Sequence, residues 1–282
     1  MSRDRVPTRM LPSGDEMPLI GFGTWRLHDD TLRAALDAAI AAGYRHFDTA
    51  QAYGNEADIG DHLAEYDREE FFITSKVVGS DLAYDRVIRT CRESIDRLGT
   101  DYLDLYMIHL PNPAISLRET LSAMATLVKE RLVRNVGVSN FDAYRLSCAQ
   151  HIADVPIAVN QIEFHPIFQQ PGLVEYCTQT DVVIEAAAPL GRGAVFSDEL
   201  VTSISEKYGK SNAQVVLRWI LEQDIVSLPR SSNPAHVEEN IDILDWKLTE
   251  DDRHALDDHP RDEAIYTMPT AHWENDDYGI IH

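Results

Sequence analysis

Short apolar segments alternate with helix-like segments along this 282-residue chain, and this alternation limits the possible folds more than any other feature. The apolar segments are rich in branched and aromatic residues, which is typical of buried strands. Strands are predicted over Leu19–Gly23, Tyr44–Asp48, Phe71–Lys76, Tyr102–His109, Arg134–Ser139, Ile157–Glu163, Val182–Ala188 and Ile225–Pro229. Eight strands with helices between them predict a parallel sheet closed into a (β/α)₈ barrel, and at this length a single domain over residues 1–282.

The segments between the strands carry apolar residues at steps of three and four, the period of a helix. Gly43 and Gly99 follow two of them, as expected at helix ends, and Asp30 and Asp85 are candidate caps at helix starts. Helices are predicted over Leu32–Ala42, Glu56–Tyr66, Tyr84–Leu98, Ser116–Glu130, Ala143–His151, Pro171–Thr180 and Asn212–Glu222.

The two ends of the chain lie outside this alternation. Ser13 and Gly14 form a turn signal between short apolar flanks, which predicts a β-hairpin within residues 1–18. Residues 260–282 have little periodicity and contain three large aromatic residues, Tyr266, Trp273 and Tyr278. We expect this tail to fold over the mouth of the barrel, and the alternative is a loose acidic tail.

An open doubly wound sheet that binds a dinucleotide is the alternative fold. It requires the pattern G-x-G-x-x-G at the turn after the first strand. The chain has Gly21 and Gly23 there, but Arg26 stands in the third glycine position. A bulky side chain at that position blocks close packing of the following helix, so the barrel is favoured.

The composition is strongly acidic, with a formal net charge of −22. The acidic residues are spread over the chain, which indicates a surface adapted to a salt-rich cytoplasm and an origin in a halophile. Such a surface argues against nucleic-acid binding, which needs a basic face. No apolar run approaches the ~20 residues of a membrane span and no secretory signal is visible, so a cytoplasmic protein without membrane association is predicted.

The cysteines and histidines do not predict a metal site. The three cysteines are odd in number and match no metal motif, which is typical of thiols in a reducing compartment. His46, His109 and His165 lack acidic or thiol partners at ligand spacing. A monomer is preferred, because a barrel has a self-contained core.

Functional side chains stand at the carboxyl ends of the predicted strands. Asp48 ends the second strand, Lys76 the third and His109 the fourth, and Tyr53 follows Asp48 in a loop of small residues. Because a barrel brings these ends together, the acid, phenol, ammonium and imidazole are expected to form one site. Other strand ends carry Gly23-Thr24-Trp25, Ser139-Asn140, Asn160-Gln161, Ala187-Ala188-Pro189 and Pro229-Arg230-Ser231.

These motifs resemble the aldo-keto reductases over essentially the whole chain, most closely the prokaryotic group that includes 2,5-diketogluconate reductases. The matching segments are GFGTW, GYRHFDTAQAYGNE, ITSK, DLYMIHLP, RNVGVSNF, VNQIEFHP, APLGRG, KSNAQVVLRW and LPRSSNPAHVEEN. The resemblance implies a (β/α)₈ barrel that binds NADPH across its mouth and reduces a small-molecule aldehyde or ketone to an alcohol.

The same resemblance implies the catalytic roles. Tyr53 is the proton donor, Asp48 and Lys76 support it, and His109 orients the substrate carbonyl. The chemistry agrees, because hydride addition builds negative charge on the carbonyl oxygen, which needs a proton or hydrogen-bond donors. A free tyrosine has a pKa of about 10, and an adjacent ammonium is expected to lower it.

The resemblance also implies how NADPH is held. The nicotinamide carboxamide is assigned to Ser139, Asn140 and Gln161, the pyrophosphate to Gly191 and Gly193, the 2′-phosphate to Arg230, Ser231 and His236, and the adenine to Glu239 and Asn240. Gly23, Thr24, Asp48, Pro189, Leu190 and Ser232 complete the expected cofactor-binding set. The glycines fit this assignment because they allow a backbone to approach phosphate closely.

Three positions depart from the family pattern. Arg230 stands where a lysine is usual, and keeps the cation. His236 replaces the usual arginine with an imidazole that is mostly neutral at physiological pH. NADPH is therefore favoured, with NADH as the alternative. Ala187 stands where an aromatic ring usually stacks on the nicotinamide, which removes about 1–3 kcal/mol of potential stacking.

The substrate is less constrained by the sequence. Trp25, Leu110 and Trp273 are expected to contact it, the first two by family position, with packing at the barrel rim as their alternative role. No arginine cluster is predicted near the site, so no carboxylate or phosphate on the substrate is required. Small aldehydes, α-dicarbonyls and keto-sugars all remain candidates.

Two other functions compete with carbonyl reduction. A nucleotide-sensing subunit without turnover is disfavoured by the intact set of four catalytic residues. A barrel isomerase or lyase that forms a Schiff base on Lys76 needs a lysine with a lowered pKa, whereas pairing with Asp48 raises it.

Overall fold

The computed structural model describes residues 6–259 together with 264 and 265. Two antiparallel strands, β1 (Thr8–Met10) and β2 (Glu16–Pro18), confirm the predicted hairpin. Parallel strands follow, and neighbours in the sheet are neighbours in the sequence. They are β3 (Phe22–Gly23), β4 (His46–Asp48), β5 (Phe72–Val77), β6 (Leu103–Ile108), β7 (Val133–Ser139), β8 (Ile157–Glu163), β9 (Val183–Ala187) and β10 (Val226–Ser227).

Backbone hydrogen bonds between the first and last strands of the sheet close it into a barrel. Ile20 and Ser227 form a parallel bridge. The amide of Gly21 donates to the carbonyl of Ser227, and the amide of Ser227 donates to the carbonyl of Leu19, both at 2.9 Å. The predicted (β/α)₈ barrel is therefore confirmed, and the open sheet is wrong.

Helices cover the outside of the barrel. Within the described residues they are α1 (Asp29–Ala42), α2 (Glu56–Leu63), α3 (Tyr84–Leu98), α4 (Leu117–Lys129), α5 (Ala143–Ile152), α6 (Pro171–Gln179), α7 (Glu199–Tyr208), α8 (Asn212–Glu222), α9 (Pro234–Ile241) and α10 (Glu250–Asp257). The predicted helices correspond to α1–α6 and α8, whereas α7, α9 and α10 were not predicted. Charged residues make up most of α10 and weaken its apolar signal.

The helix ends follow the predictions only in part. Gly43 and Gly99 end α1 and α3 in the left-handed conformation, at φ 106° and 60°, as glycine permits. The predicted caps Asp30 and Asp85 are wrong, because both lie inside the first turn of their helices. Acidic residues still suit these positions, since the amino-terminal end of a helix carries partial positive charge.

The hairpin covers the amino-terminal end of the barrel. Asp15 in its turn pairs with Arg134 at the start of β7, at 3.2 Å, and Arg9 pairs with Asp181 just before β9, at 3.4 Å. Met17, in the hairpin strand β2, is fully buried. One end of the barrel is thus closed by the chain itself, and the carboxyl ends of the strands lie at the other end. No helix in the described ranges is long and apolar enough to cross a membrane.

Candidate active site

A buried ion pair lies at the carboxyl ends of β4 and β5. The Lys76 ammonium donates to both carboxylate oxygens of Asp48 at 2.7 Å and to the carbonyl of Thr49 at 3.0 Å. The Lys76 side chain is fully buried and that of Asp48 is 5% exposed. Thr24 donates its hydroxyl to the Asp48 carbonyl at 2.8 Å, which fixes the end of β4 against the loop after β3.

This pairing keeps Lys76 charged. Burial alone lowers the pKa of Lys76, but the charges of Asp48 and Tyr53 and the hydrogen bond to Asp48 oppose burial, and the pKa is raised above its ordinary value. A Schiff-base lysine needs the opposite shift, so the geometry disfavours the isomerase or lyase hypothesis.

Tyr53 lies at the end of a 3₁₀ turn that follows β4, and Gly54 ends this turn in the left-handed conformation at φ 67°. The next residue, Asn55, is fully buried and donates its amide to the carbonyls of Thr24 and Leu27 at 2.9 and 3.0 Å. Asn55 therefore ties the Tyr53 loop to the loop after β3, which fixes where the phenol stands.

Tyr53 contacts both Lys76 and His109. Its ring lies edge-to-face with the imidazole of His109, with 5.6 Å between ring centroids, and the Lys76 ammonium is 5.1 Å from the ring centroid of Tyr53. Burial raises the pKa of Tyr53, while the charge of Lys76 and its hydrogen bond lower it and the charge of Asp48 raises it. Lys76 thus acts in the predicted direction, but the predicted net lowering is wrong because burial exceeds it.

His109 is a neutral imidazole in this setting. Burial and the charge of Lys76 hold its pKa well below the ordinary value. The side-chain amide of Asn140 donates to the His109 carbonyl at 3.1 Å and to the Ser139 hydroxyl at 3.0 Å. Two residues expected at the nicotinamide carboxamide are therefore joined to the strand end that carries the imidazole.

Gln161 and two residues missed by the sequence analysis extend the site into the barrel interior. The Gln161 amide donates to Asp48 at 3.0 Å and to Glu185 at 2.6 Å. The other oxygen of Glu185 faces Nε2 of His46 at 3.5 Å, and both side chains are fully buried. Burial first, and the charge of Asp48 second, raise the pKa of Glu185 to about 8. Glu185 could have been found from the sequence, because it is an acidic residue within a predicted apolar strand, and a barrel buries both faces of such a strand.

The loop after β9 has the backbone conformation expected at a phosphate. Gly191 and Gly193 have φ of 56° and 102°, and Arg192 between them has 48°. Pro189 is buried and Leu190 half-buried ahead of this turn. Ala187, at the expected stacking position, is half-buried at the end of β9. The loop presents a short stretch of left-handed backbone at the barrel mouth.

The residues expected at the adenosine lie in the loop after β10 and on α9. Ser231 accepts from the amide of Asn233 at 3.0 Å, Ser232 and His236 are exposed, and Asn240 is buried. Glu239 lines a groove with Ala42 and Gly43 at the end of α1 and with the hairpin residues Asp15 and Glu16, at the amino-terminal end of the barrel. Gly23 lies against the carbonyl of Leu228.

Three arginines gather around Trp25, a cluster that the sequence alone did not indicate. The guanidinium carbons of Arg26 and Arg192 lie 4.5 and 4.9 Å from the Trp25 ring centroid. Arg230 donates to the carbonyls of Trp25 and Arg26 at 3.0 and 3.1 Å. Burial, then the charge of Arg26, lowers the pKa of Arg230. This cationic group links the loops after β3, β9 and β10 in a strongly acidic protein.

The expected substrate contacts are only partly described. Trp25 is half-buried beside the arginines, and Leu110 is half-buried next to Gly79. Trp273 lies outside the described residues, as does most of the tail over residues 260–282. Its described residue Ile265 donates its amide to Glu163 at the end of β8, at 2.6 Å. Among the described residues, no group of three or more histidine, cysteine or acidic side chains could hold a metal ion.

Comparisons with known proteins agree with this geometry. The model of the Aldo/keto reductase family matches residues 19–261. An aldo-keto reductase of Mycobacterium sp. (strain KMS) is 39% identical over 250 residues, which cover 88% of this chain and 91% of the relative. The glyoxal reductase of Bacillus subtilis (strain 168) is 38% identical over 265 residues, which cover 93% of this chain and 96% of the relative.

A solved structure extends the agreement to three dimensions. The crystal structure of a Bombyx mori aldo-keto reductase in complex with NADP matches with a TM-score of 0.88 at 31% identity, over 94% of this chain and 96% of that one. Sequence and fold therefore agree that this chain belongs to the aldo/keto reductase family.

Proposed function

We propose that this protein reduces a small aldehyde or ketone to an alcohol, with NADPH as the source of hydride. The observation that carries the proposal is the buried Lys76–Asp48 pair beside Tyr53 and His109 at the barrel mouth. Family membership supports it, as do the NADP bound in the Bombyx mori structure and the glyoxal reductase activity named for the Bacillus subtilis relative.

The four residues divide the work of protonation. NADPH, when bound, would supply the hydride for this reduction. The Tyr53 hydroxyl gives its proton to the carbonyl oxygen, and a neutral His109 donates a hydrogen bond to the same oxygen. Lys76 stabilises the phenolate that remains on Tyr53, and Asp48 keeps Lys76 charged in a buried position. The charge of Lys76 lowers the pKa of Tyr53 and so opposes the effect of burial, which favours transfer of the phenol proton.

The chain's own residues fit the phosphates of NADPH. The left-handed turn at Gly191–Gly193 allows close backbone approach, and the arginines around Trp25 supply positive charge. We propose Arg230, Ser231 and His236 as the 2′-phosphate contacts, with Ser232 beside them and Glu239 and Asn240 at the adenine. NADH remains the alternative cofactor because His236 lacks a permanent charge.

His236→Arg is expected to tighten NADPH binding about tenfold and to leave NADH binding unchanged. The substitution adds a permanent charge at an exposed position on α9, and a hydrogen bond to a charged group contributes about 1.5–3 kcal/mol. Titration of tryptophan fluorescence with each cofactor measures both dissociation constants. Equal tightening of NADH and NADPH would place the new charge away from the 2′-phosphate.

The test of the proposed reaction is NADPH consumption with methylglyoxal, glyoxal and an activated benzaldehyde, in dilute buffer and in concentrated KCl. Turnover that a Tyr53→Phe variant loses, while it still binds NADPH, supports reduction at this site. Tight NADPH binding without turnover on a broad carbonyl panel favours the nucleotide-sensing subunit instead. The panel begins with α-dicarbonyls because glyoxal is named for one relative.

The charge of −22 supports a proposal about the environment: the protein works in a salt-rich cytoplasm, as in a halophile. Unfolding temperature is expected to rise as KCl is raised from dilute buffer to ~1 M, where the Debye length falls to about 3 Å and like charges stop repelling. A temperature that falls or stays constant would contradict this adaptation. Differential scanning calorimetry in NaCl and KCl separates screening from a potassium-specific effect.

The remaining proposals concern organisation. We propose that residues 1–282 form one barrel domain, with residues 260–282 over the mouth and Trp273 among the substrate contacts with Trp25 and Leu110. We also propose a monomer that binds neither nucleic acid nor membranes. Sedimentation in concentrated KCl and a truncation before residue 260 address these points.

A further inference from the structure

Glu185 is a buried carboxyl in the barrel interior that the reduction mechanism above does not use. It lies on β9 directly opposite Gln161 on β8 in the register of the sheet. The Gln161 side-chain nitrogen donates to Oε2 of Glu185 at 2.6 Å and to Oδ2 of Asp48 at 3.0 Å. Gln161 therefore links two buried carboxyl groups through one nitrogen.

These two bonds fix the orientation of the Gln161 amide. A glutamine amide carries two N–H donors on its nitrogen and acceptor sites on its oxygen. A flipped amide would set its oxygen against the Asp48 carboxylate, which has no proton to donate, and against Glu185 whenever that carboxyl is ionised, and leaving buried polar groups unsatisfied is unfavourable. The oxygen is thus the atom left to accept from the NH₂ of a nicotinamide carboxamide, the group expected at Gln161.

We propose that Glu185 is a positioning residue for the cofactor, which orients the Gln161 amide and whose negative charge favours the oxidised nicotinamide over the reduced one. The inference rests on the function proposed above, since it concerns the same cofactor. The nicotinamide ring is cationic in NADP⁺ and neutral in NADPH. A nearby carboxylate therefore stabilises the oxidised form alone, and a protonated carboxyl stabilises neither.

Among the titratable groups that face Glu185, only Glu185 itself is expected to change its charge at mildly alkaline pH. Burial, then the charge of Asp48, raises the pKa of Glu185 to about 8. Burial lowers the pKa of His46, which faces it from β4, to about 3. Lys76 on β5 has a raised pKa and is paired with Asp48. Opposite Glu185 on β10 stands the apolar Val226.

The sign of the effect follows from that raised pKa. Below about pH 8 the carboxyl is protonated and neutral, and above it the carboxylate carries the charge that NADP⁺ prefers. Binding of NADP⁺ relative to NADPH should therefore strengthen as pH rises. The 2′-phosphate titrates near pH ~6 in both cofactor forms, so it cancels in the ratio of their dissociation constants.

The experiment measures dissociation constants of NADP⁺ and NADPH by tryptophan fluorescence from about pH 6.5 to about pH 9.5. In the wild type the ratio of the NADPH constant to the NADP⁺ constant is expected to rise about tenfold, equivalent to one unit of pKa change on NADP⁺ binding. In Glu185→Gln, which keeps an acceptor for Gln161 but no charge, the ratio is expected to be flat.

Two further variants separate the roles. Glu185→Leu removes the acceptor as well, and is expected to weaken both cofactors about tenfold at every pH. Glu56→Gln is the matched control, because Glu56 is a buried carboxyl that contacts Ser75 and Arg97 away from the interior network, and its pH dependence should match the wild type. If Glu185→Leu fails to fold, the pH dependence of the ratio in the wild type and in Glu185→Gln still tests the proposed effect of the Glu185 charge.

A ratio that does not change with pH in the wild type, or that still rises in Glu185→Gln, overturns this inference while leaving carbonyl reduction intact. A wild-type protein that binds neither cofactor form at any pH instead refutes the proposed function, and the inference with it.

Discussion

Tyr53→Phe is expected to lower kcat for carbonyl reduction about a thousandfold while NADPH binding stays close to that of the wild type. The substitution removes one hydroxyl, the proposed source of the proton, and general acid catalysis contributes about 10²–10⁴-fold. The phenylalanine ring keeps the edge-to-face contact with His109, so the pocket should keep its shape. Single-turnover kinetics with saturating NADPH report the chemical step directly.

The matched control for this prediction is Tyr66→Phe. Tyr66 is 39% exposed and packs against Phe71 outside the barrel, so the same loss of a hydroxyl should leave kcat unchanged. A Tyr53→Phe enzyme that turns over within a few-fold of the wild type would show that water or His109 supplies the proton. Loss of NADPH binding in the variant would instead mean that the loop had moved.

Lys76→Met should unfold more easily than the wild type by about 3–5 kcal/mol and should lose most of its activity. Removing the ammonium leaves the Asp48 carboxylate buried without its cation, and breaking a fully buried pair on one side has an effect of this size. The variant also lacks the charge that stabilises the Tyr53 phenolate. Urea denaturation gives the change in unfolding free energy, and stopped-flow reduction gives the loss of rate.

The double variant Asp48→Asn/Lys76→Met separates stability from catalysis. With both charges gone, no carboxylate remains unpaired, so much of the lost stability should return while the activity does not. Wild-type stability in the single Lys76→Met variant would contradict the burial of the Lys76–Asp48 pair described above. Recovery of activity in the double variant would show that the ion pair serves structure alone.

The fold was predictable because each strand has a clear local signal. β8 and the helices α3 and α8 begin and end where the sequence pattern predicted. β3 is shorter than its pattern, because Ile20 joins the sheet through only a single bridge. The starts of the missed helices α7, α9 and α10 are indicated in the sequence by their capping residues. Asp198, Asn233 and Thr249 each accept from a backbone amide at a helix start.

Only the site residues at strand ends and in family motifs could be predicted from the sequence. That Asp48, Lys76 and His109 would meet followed from their places at the ends of parallel strands. The contact of Gln161 with Glu185 depends on the register between β8 and β9, which no local pattern encodes. The position of Arg192 over Trp25 depends on a loop conformation with positive φ at a non-glycine residue, for which the sequence gives no signal.

The hairpin at the amino-terminal end has a practical consequence for attaching the enzyme to a surface. Its turn residues Ser13 and Gly14 are exposed, at the end of the barrel opposite the site. Cys91 and Cys177 are buried and Cys148 is half-buried, so a thiol introduced by Ser13→Cys would be the most accessible one among the described residues. Coupling to an electrode or resin through that thiol would orient the barrel with its mouth toward the solution, where cofactor and carbonyl must enter.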